Sequence, residues 1–196
     1  VGTIPSGVTA PPSKHITDYT DTTTAVKELS YYEEAPGYTF SGWKRNSIKG
    51  ATFAGDKSMS YDVNLYGQYT KITGSVKVTK QFNATSDFKT NYMNANAKEV
   101  KVKLKGVTLT SGESYEQTAT IKDGGSYTFT NVPVGTYVVQ EYKVDNNHPS
   151  ISCYWGKWKV GSNGNWSDNM TNNNGIYQTG NVTVSKNART DVYFQN

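Results

Sequence analysis

The sequence predicts an all-β chain of two small modules in a row, the first of them open to an α+β arrangement. Three observations carry that prediction. Gly (18), Tyr (15) and abundant Thr, Asn and Ser suit strands and tight turns, because aromatic and β-branched side chains pack on a pleated surface while Gly and Asn accept positive φ. No stretch places apolar residues at i, i+3, i+4 and i+7 over three turns, so period-two alternation dominates. With 196 residues there is enough chain for two modest cores.

The first module spans residues 1–71. It opens on Pro-rich chain (Ile4-Pro5-Ser6-Gly7, then Pro11-Pro12) and passes a Thr-rich strand candidate ending near Ala25-Val26-Lys27. A Pro36-Gly37 turn then feeds a strand in which Tyr38, Phe40 and the later Trp43 face one core. After Met59 a closing strand places Val63, Leu65, Gly67 and Tyr69 on one face. The string Pro36-Gly37-Tyr38-Thr39-Phe40-Ser41-Gly42-Trp43, followed by Asp62-Val63-Asn64-Leu65-Tyr66-Gly67-Gln68-Tyr69, resembles the Listeria-Bacteroides repeat. That resemblance implies a β-grasp-like module of bacterial surface proteins.

The second module spans residues 72–196, with Thr73-Gly74-Ser75 as the joint. Val76 and Val78 begin its first strand. Further strands are expected at 100–104, 115–121, 126–129, 136–142, 181–185 and 191–196. Turn signals separate them at Asp123-Gly124-Gly125, Pro133-Val134-Gly135 and Asn187-Ala188. Short strands punctuated in this way predict a β-sandwich, here with an insertion at about 145–180.

Three strands of this module break their own alternation. Lys80 follows Val76 and Val78, Glu141 follows Tyr137 and Val139, and Asn196 follows Val192 and Phe194. Burying each polar group alone costs several kcal/mol, roughly 2–7 for a neutral one and more for a charge, so one shared explanation is preferred: they meet. Desolvation favours an uncharged lysine, which is a nucleophile, and a protonated glutamate, which is an acid. Lys80 can then attack the Asn196 side-chain amide while Glu141 shuttles protons, leaving an amide crosslink and releasing ammonia.

The same residues resemble the Cna B-type domains of Gram-positive adhesins and pilins. The resemblance rests on Gly74-Ser75-Val76-Lys77-Val78-Thr79-Lys80, on the stretch from Tyr127 to the Gly135-Thr136-Tyr137-Val138-Val139-Gln140-Glu141 strand, and on Val192-Tyr193-Phe194-Gln195-Asn196. It implies an Ig-like sandwich closed by an autocatalytic isopeptide bond between Lys80 and Asn196, with Glu141 as the assisting acid. The expected role is therefore a stalk or pilin-like segment of an extracellular, cell-wall-attached surface protein. Its expected partners are the neighbouring domains of that protein.

Other features are weaker. One Cys, Cys153, excludes an internal disulfide, and His15 and His148 lack the residues of a hydrolase or a metal finger around them. No metal, cofactor or catalytic turnover is expected. Twenty basic and 16 acidic residues are scattered without a basic run, which argues against nucleic acid, and no apolar run of about 20 residues offers a membrane contact. Asp168 among asparagines lacks the carboxylates of a calcium loop. Trp155, Trp158, Trp166 and Tyr177 are candidate ligand-binding residues for a host glycan or protein; the competing reading is a long hairpin whose tryptophans cover the sandwich end. The start at Val1 in mid-pattern and the stop after a strand read as a piece of a longer protein.

Overall fold

A computed structural model describes residues 37–47, 49–53, 64–81, 99–109, 114–122, 124–142, 156–173 and 176–195. The chain divides into two compact units, Val1–Ile72 with Leu109–Gly112, and Thr73–Thr108 with Glu113–Asn196. The described residues form strands and turns, with no helix among them.

In the first unit β1 (Tyr38–Arg45) pairs antiparallel with β2 (Leu65–Lys71). Strict alternation would turn Trp43 away from Phe40. A bulge between Phe40 and Gly42, where Gly42 adopts a φ of 116°, rotates the strand and returns Trp43 to the same face. Phe40 consequently meets Trp43 edge-on at 5.2 Å and Tyr69 at 5.4 Å. Gly67 stands opposite Trp43, where an added Cβ would lie 3.2 Å from the indole. Leu65, Gly67 and Tyr69 alternate along β2 as expected, while Val63, Met59, Pro36 and the earlier strand candidate lie outside the described residues.

The second unit is a two-sheet sandwich. One sheet runs β5 (Ser114–Lys122), β4 (Glu99–Thr108), β7 (Gly135–Tyr142), β10 (Ile176–Gln178), β9 (Thr171–Asn173), with β11 (Val182–Val184) also on β7. The other runs β6 (Ser126–Pro133), β3 (Thr73–Gln81), β12 (Arg189–Gln195), β8 (Lys157–Val160). Every pairing is antiparallel except β3 with β12, which runs parallel from Ser75 opposite Arg189 to Gln81 opposite Gln195.

The expected strands are present and mostly longer than alternation alone indicated. Glycine 106 explains part of this in β4: an added Cβ would meet Tyr137 Cα at 2.7 Å, so the chain stays paired there by close approach. In β6 the inward residues Phe129 and Val132 are three apart, because Asn131 at φ 54° lets two residues of β6 oppose the single residue Ser75. Residues 156–180, within the expected insertion, add β8 to an edge of one sheet and β10 and β9 to an edge of the other. Thr179 bridges the gap between β10 and β11. Its hydroxyl accepts from Val139 N at 3.0 Å and donates to Gly180 O at 2.8 Å.

The core lies between the sheets. Val76 and Val78 of β3, Val192 and Phe194 of β12, and Phe129 and Val132 of β6 face Val100, Val102 and Leu104 of β4 and Tyr137 and Val139 of β7. Full burial of each such aliphatic or Phe side chain contributes about 1.5–3 kcal/mol. That gain is what lets the sandwich carry charged groups inside.

Candidate functional site: a buried lysine and glutamate

Lys80 ends the inward row of β3 after Val76 and Val78, and Glu141 ends the inward row of β7 after Tyr137 and Val139. Both are taken out of water, with Lys80 at 0% and Glu141 at 3% exposure. They meet across the sandwich. Lys80 Nζ donates to Glu141 Oε1 at 2.9 Å and to Oε2 at 3.0 Å.

The backbone around Lys80 is held as firmly as its amine. Lys80 N donates to Gly125 O at 3.0 Å, and Gly124 N donates back to Lys80 O at 2.9 Å. Gly124 sits at φ 71°, and a Cβ on Gly125 would approach Lys122 O to 2.8 Å, so this turn requires its two glycines. The sequence reading took them only as a turn signal; their second job is to seat the end of β3.

A cross-section through the pair shows how it is desolvated. In one sheet Lys80 stands beside Phe194 of β12, and Phe194 beside Trp158 of β8. In the other, Val102 of β4 and Tyr177 of β10 flank Glu141 on its two sides. Directly opposed residues of neighbouring strands share a face, so apolar and aromatic groups surround the one cation and the one anion.

Of the residues the sequence singled out, Lys80 and Glu141 are brought together. Asn196 and Trp155 lie outside the described residues. The chain reaches Gln195, opposite Gln81, one residue beyond the Phe194–Lys80 pair. Trp158 and Tyr177 are half-buried on the inner face, whereas Trp166 is 37% exposed elsewhere. Lys159 Nζ lies 4.9 Å from the Trp166 ring and 5.3 Å from Tyr193, and donates to Ser162 O at 2.6 Å. The candidate ligand-binding aromatics that are described therefore do not form one surface. Asp168 pairs with Lys157 at 3.3 Å, and no cluster of three metal-ligating side chains occurs among the described residues. His15, His148 and Cys153 lie outside them.

Sequence reasoning did not single out Tyr137 as more than core. Its hydroxyl donates to Pro133 O at 2.7 Å, and its ring meets Tyr115 edge-on at 5.5 Å. Burial, followed by the neighbouring Tyr115, pushes the Tyr137 hydroxyl up to about 12.

No protein-family model matches the chain, and no curated protein matches it. Among solved structures it is similar to a bacterial adhesin from Mobiluncus mulieris containing intramolecular disulfide, isopeptide and ester bond cross-links, at 16% identity over 76% of this chain and 49% of that one, TM-score 0.39. A major pilin protein (T3.2) from Streptococcus pyogenes is similar at 17% identity over 83% of this chain and 62% of that one, TM-score 0.42. Another major pilin from Streptococcus pyogenes is similar at 16% identity, with 84% and 65% covered, TM-score 0.39. The chain thus spans between about half and two thirds of the length of these structures.

Proposed function

We propose that this chain is a structural, pilin-like segment of an adhesin on a Gram-positive cell surface, closed by an intramolecular isopeptide bond between Lys80 and Asn196. One observation carries the reading: a fully buried lysine and a glutamate at the ends of β3 and β7, in two-oxygen contact, beside β12, whose last residue Gln195 precedes Asn196 in the sequence. An ordinary stabilising pair explains this poorly, since apolar residues of similar volume serve a core as well or better.

The chemistry proceeds as follows. The lone pair of neutral Lys80 Nζ attacks Asn196 Cγ, and protonated Glu141 hydrogen-bonds the amide oxygen as charge develops on it. Glu141 then relays a proton from Nζ to the Asn196 amide nitrogen. The Cγ–Nδ2 bond breaks, ammonia departs, and a secondary amide joins the two side chains. Each chain reacts once, so there is no turnover and no enzyme in the usual sense.

A bond closing β3 to β12 would enclose nearly all of the unit in one covalent loop, which limits unfolding and proteolysis where no disulfide is available. In this reading the protein works outside the cell, attached to the wall, with neighbouring domains of its own chain as partners. Intact mass of the denatured protein, alongside Glu141→Ala, tests it. The expected result is a wild-type mass one ammonia below the sequence mass and a full mass in the variant; a full wild-type mass removes the crosslink.

A further inference from the structure

Without β8 and β10, β12 and the Glu141 end of β7 would be the edges of their sheets. The described part of residues 156–180 changes that by adding β8 to one edge and β10, then β9, to the other. The first inner-face side chain on each added strand, level with the pair, is aromatic: Trp158 beside Phe194, and Tyr177 beside Glu141.

The indole is placed with some care. Trp158 Nε1 donates to Asn169 O at 3.3 Å, and Trp158 and Met170 pack on the core. Gly180 leaves room for the ring, since a Cβ there would lie 3.0 Å from it. A surface chosen for contact with a ligand would leave these rings outside, as Trp166 is. Trp158 and Tyr177 are instead half-buried, on the faces that carry Phe194 and Glu141.

We propose that Trp158 and Tyr177 are positioning residues for the crosslink: they wall the open side of the sandwich, exclude water from Lys80 and Glu141, and so set the rate of bond formation. This rests on the isopeptide reading above. Neither residue exchanges a proton or forms a bond. Their part is to hold the amine and the carboxyl in a dry enclosure where the neutral pair and its reactive geometry persist.

The test follows the full chain after a short pulse of cell-free synthesis, quenched in acid at intervals and read by intact mass for loss of ammonia. Trp158→Ser and Tyr177→Ser are expected to crosslink about tenfold or more slowly than wild type. Trp158→Phe and Tyr177→Phe, which keep a ring, are expected to stay close to wild type. Val184→Ala, a core truncation on β11, is expected to lower the melting temperature without slowing the reaction of folded chains. If Trp158→Ser does not fold, Gly180→Ala crowds the indole and is expected to slow the reaction in its place. Folded serine variants that react at the wild-type rate, or a Val184→Ala chain slowed as much as they are, overturn the proposal.

Failure of the underlying reading shows differently, as a wild-type chain that never loses ammonia. The wall is then judged in an Asn196→Ala background by the rate at which acetic anhydride acetylates Lys80. Several-fold faster labelling with Trp158→Ser supports it, and unchanged labelling overturns it.

Discussion

Strand β7 carries two polar side chains on its inner face, and they are satisfied in opposite ways. Tyr137, near the start of the strand, donates to the carbonyl of Pro133, four residues back, and stays within its own corner of the fold. Glu141, near the end, takes its partner from the facing sheet, 61 residues away in sequence. The first arrangement is assembled as soon as the β6–β7 connection forms. The second exists only when both sheets have closed, and it brings a cation and an anion into the core together. A buried hydroxyl answered locally depends on one corner of the fold; a buried charge answered across the fold depends on both sheets being closed.

Mutations can break this comparison, and Asn196→Ala, which cannot crosslink, is the reference for stability. Removing one charge should have the largest effect. Lys80→Ala strands Glu141 in the core and should cost about 3–5 kcal/mol in urea titration, whereas the double exchange Lys80→Met with Glu141→Leu should be neutral or stabilising by about 1–4 kcal/mol. In the chain with Asn196 restored, that double variant should show no loss of ammonia. If it folds well and remains at full mass, the pair is kept for chemistry and not for stability.

Next is Gly106→Ala, whose added carbon meets Tyr137 Cα at 2.7 Å and should cost about 1–3 kcal/mol as overpacking, read from the same titration. Tyr137→Phe should cost about 1 kcal/mol near neutral pH for its lost hydrogen bond. Its pH dependence sharpens the contrast. The hydroxyl, ordinarily near 10.0, is pushed up to about 12, so the folded state favours the neutral form. That contribution is complete below pH 10 and is lost as pH rises from about 10 to 12, and Tyr137→Phe should flatten this limb of the urea midpoint against pH.

The smallest effect should come from the outer face of the sandwich, on β4 and β5. Lys103 holds the Glu116 carboxyl below its ordinary range by a side-chain hydrogen bond, so any stability this adds is present at neutral pH and fades as pH falls through the lowered value. Both groups lie at the surface, and Glu116→Gln should barely move the urea midpoint, with the small change disappearing in high salt.

The parts legible in the sequence are those with a strict period. Val76-Lys77-Val78-Thr79-Lys80 and Tyr137-Val138-Val139-Gln140-Glu141 announce both their strands and the inward direction of the last residue, which is why the lysine and glutamate could be matched before any geometry was known. Where a bulge resets the period, the pattern misleads: Trp43 returns to the face of Phe40, and Val132 to that of Phe129, through local φ values at Gly42 and Asn131 that alternation does not encode. The Asn- and Gly-rich chain before Gly180 has no alternation at all. Its aromatics could be noticed as rings but not assigned a direction, and Trp158 and Trp166 turned out to serve different faces. The parallel pairing of β3 with β12 is a matter of topology, set by how the whole sandwich closes.

That parallel pairing has a mechanical consequence. Pulling Thr73 and Gln195 apart draws β3 by its first residue and β12 by its last, from opposite ends of the same ladder. The seven register pairs from Ser75–Arg189 to Gln81–Gln195 are then loaded together, in shear, instead of opening one after another like a zipper. The strand pair would thus resist tension through its hydrogen bonds alone, before any covalent bond at its far end came taut.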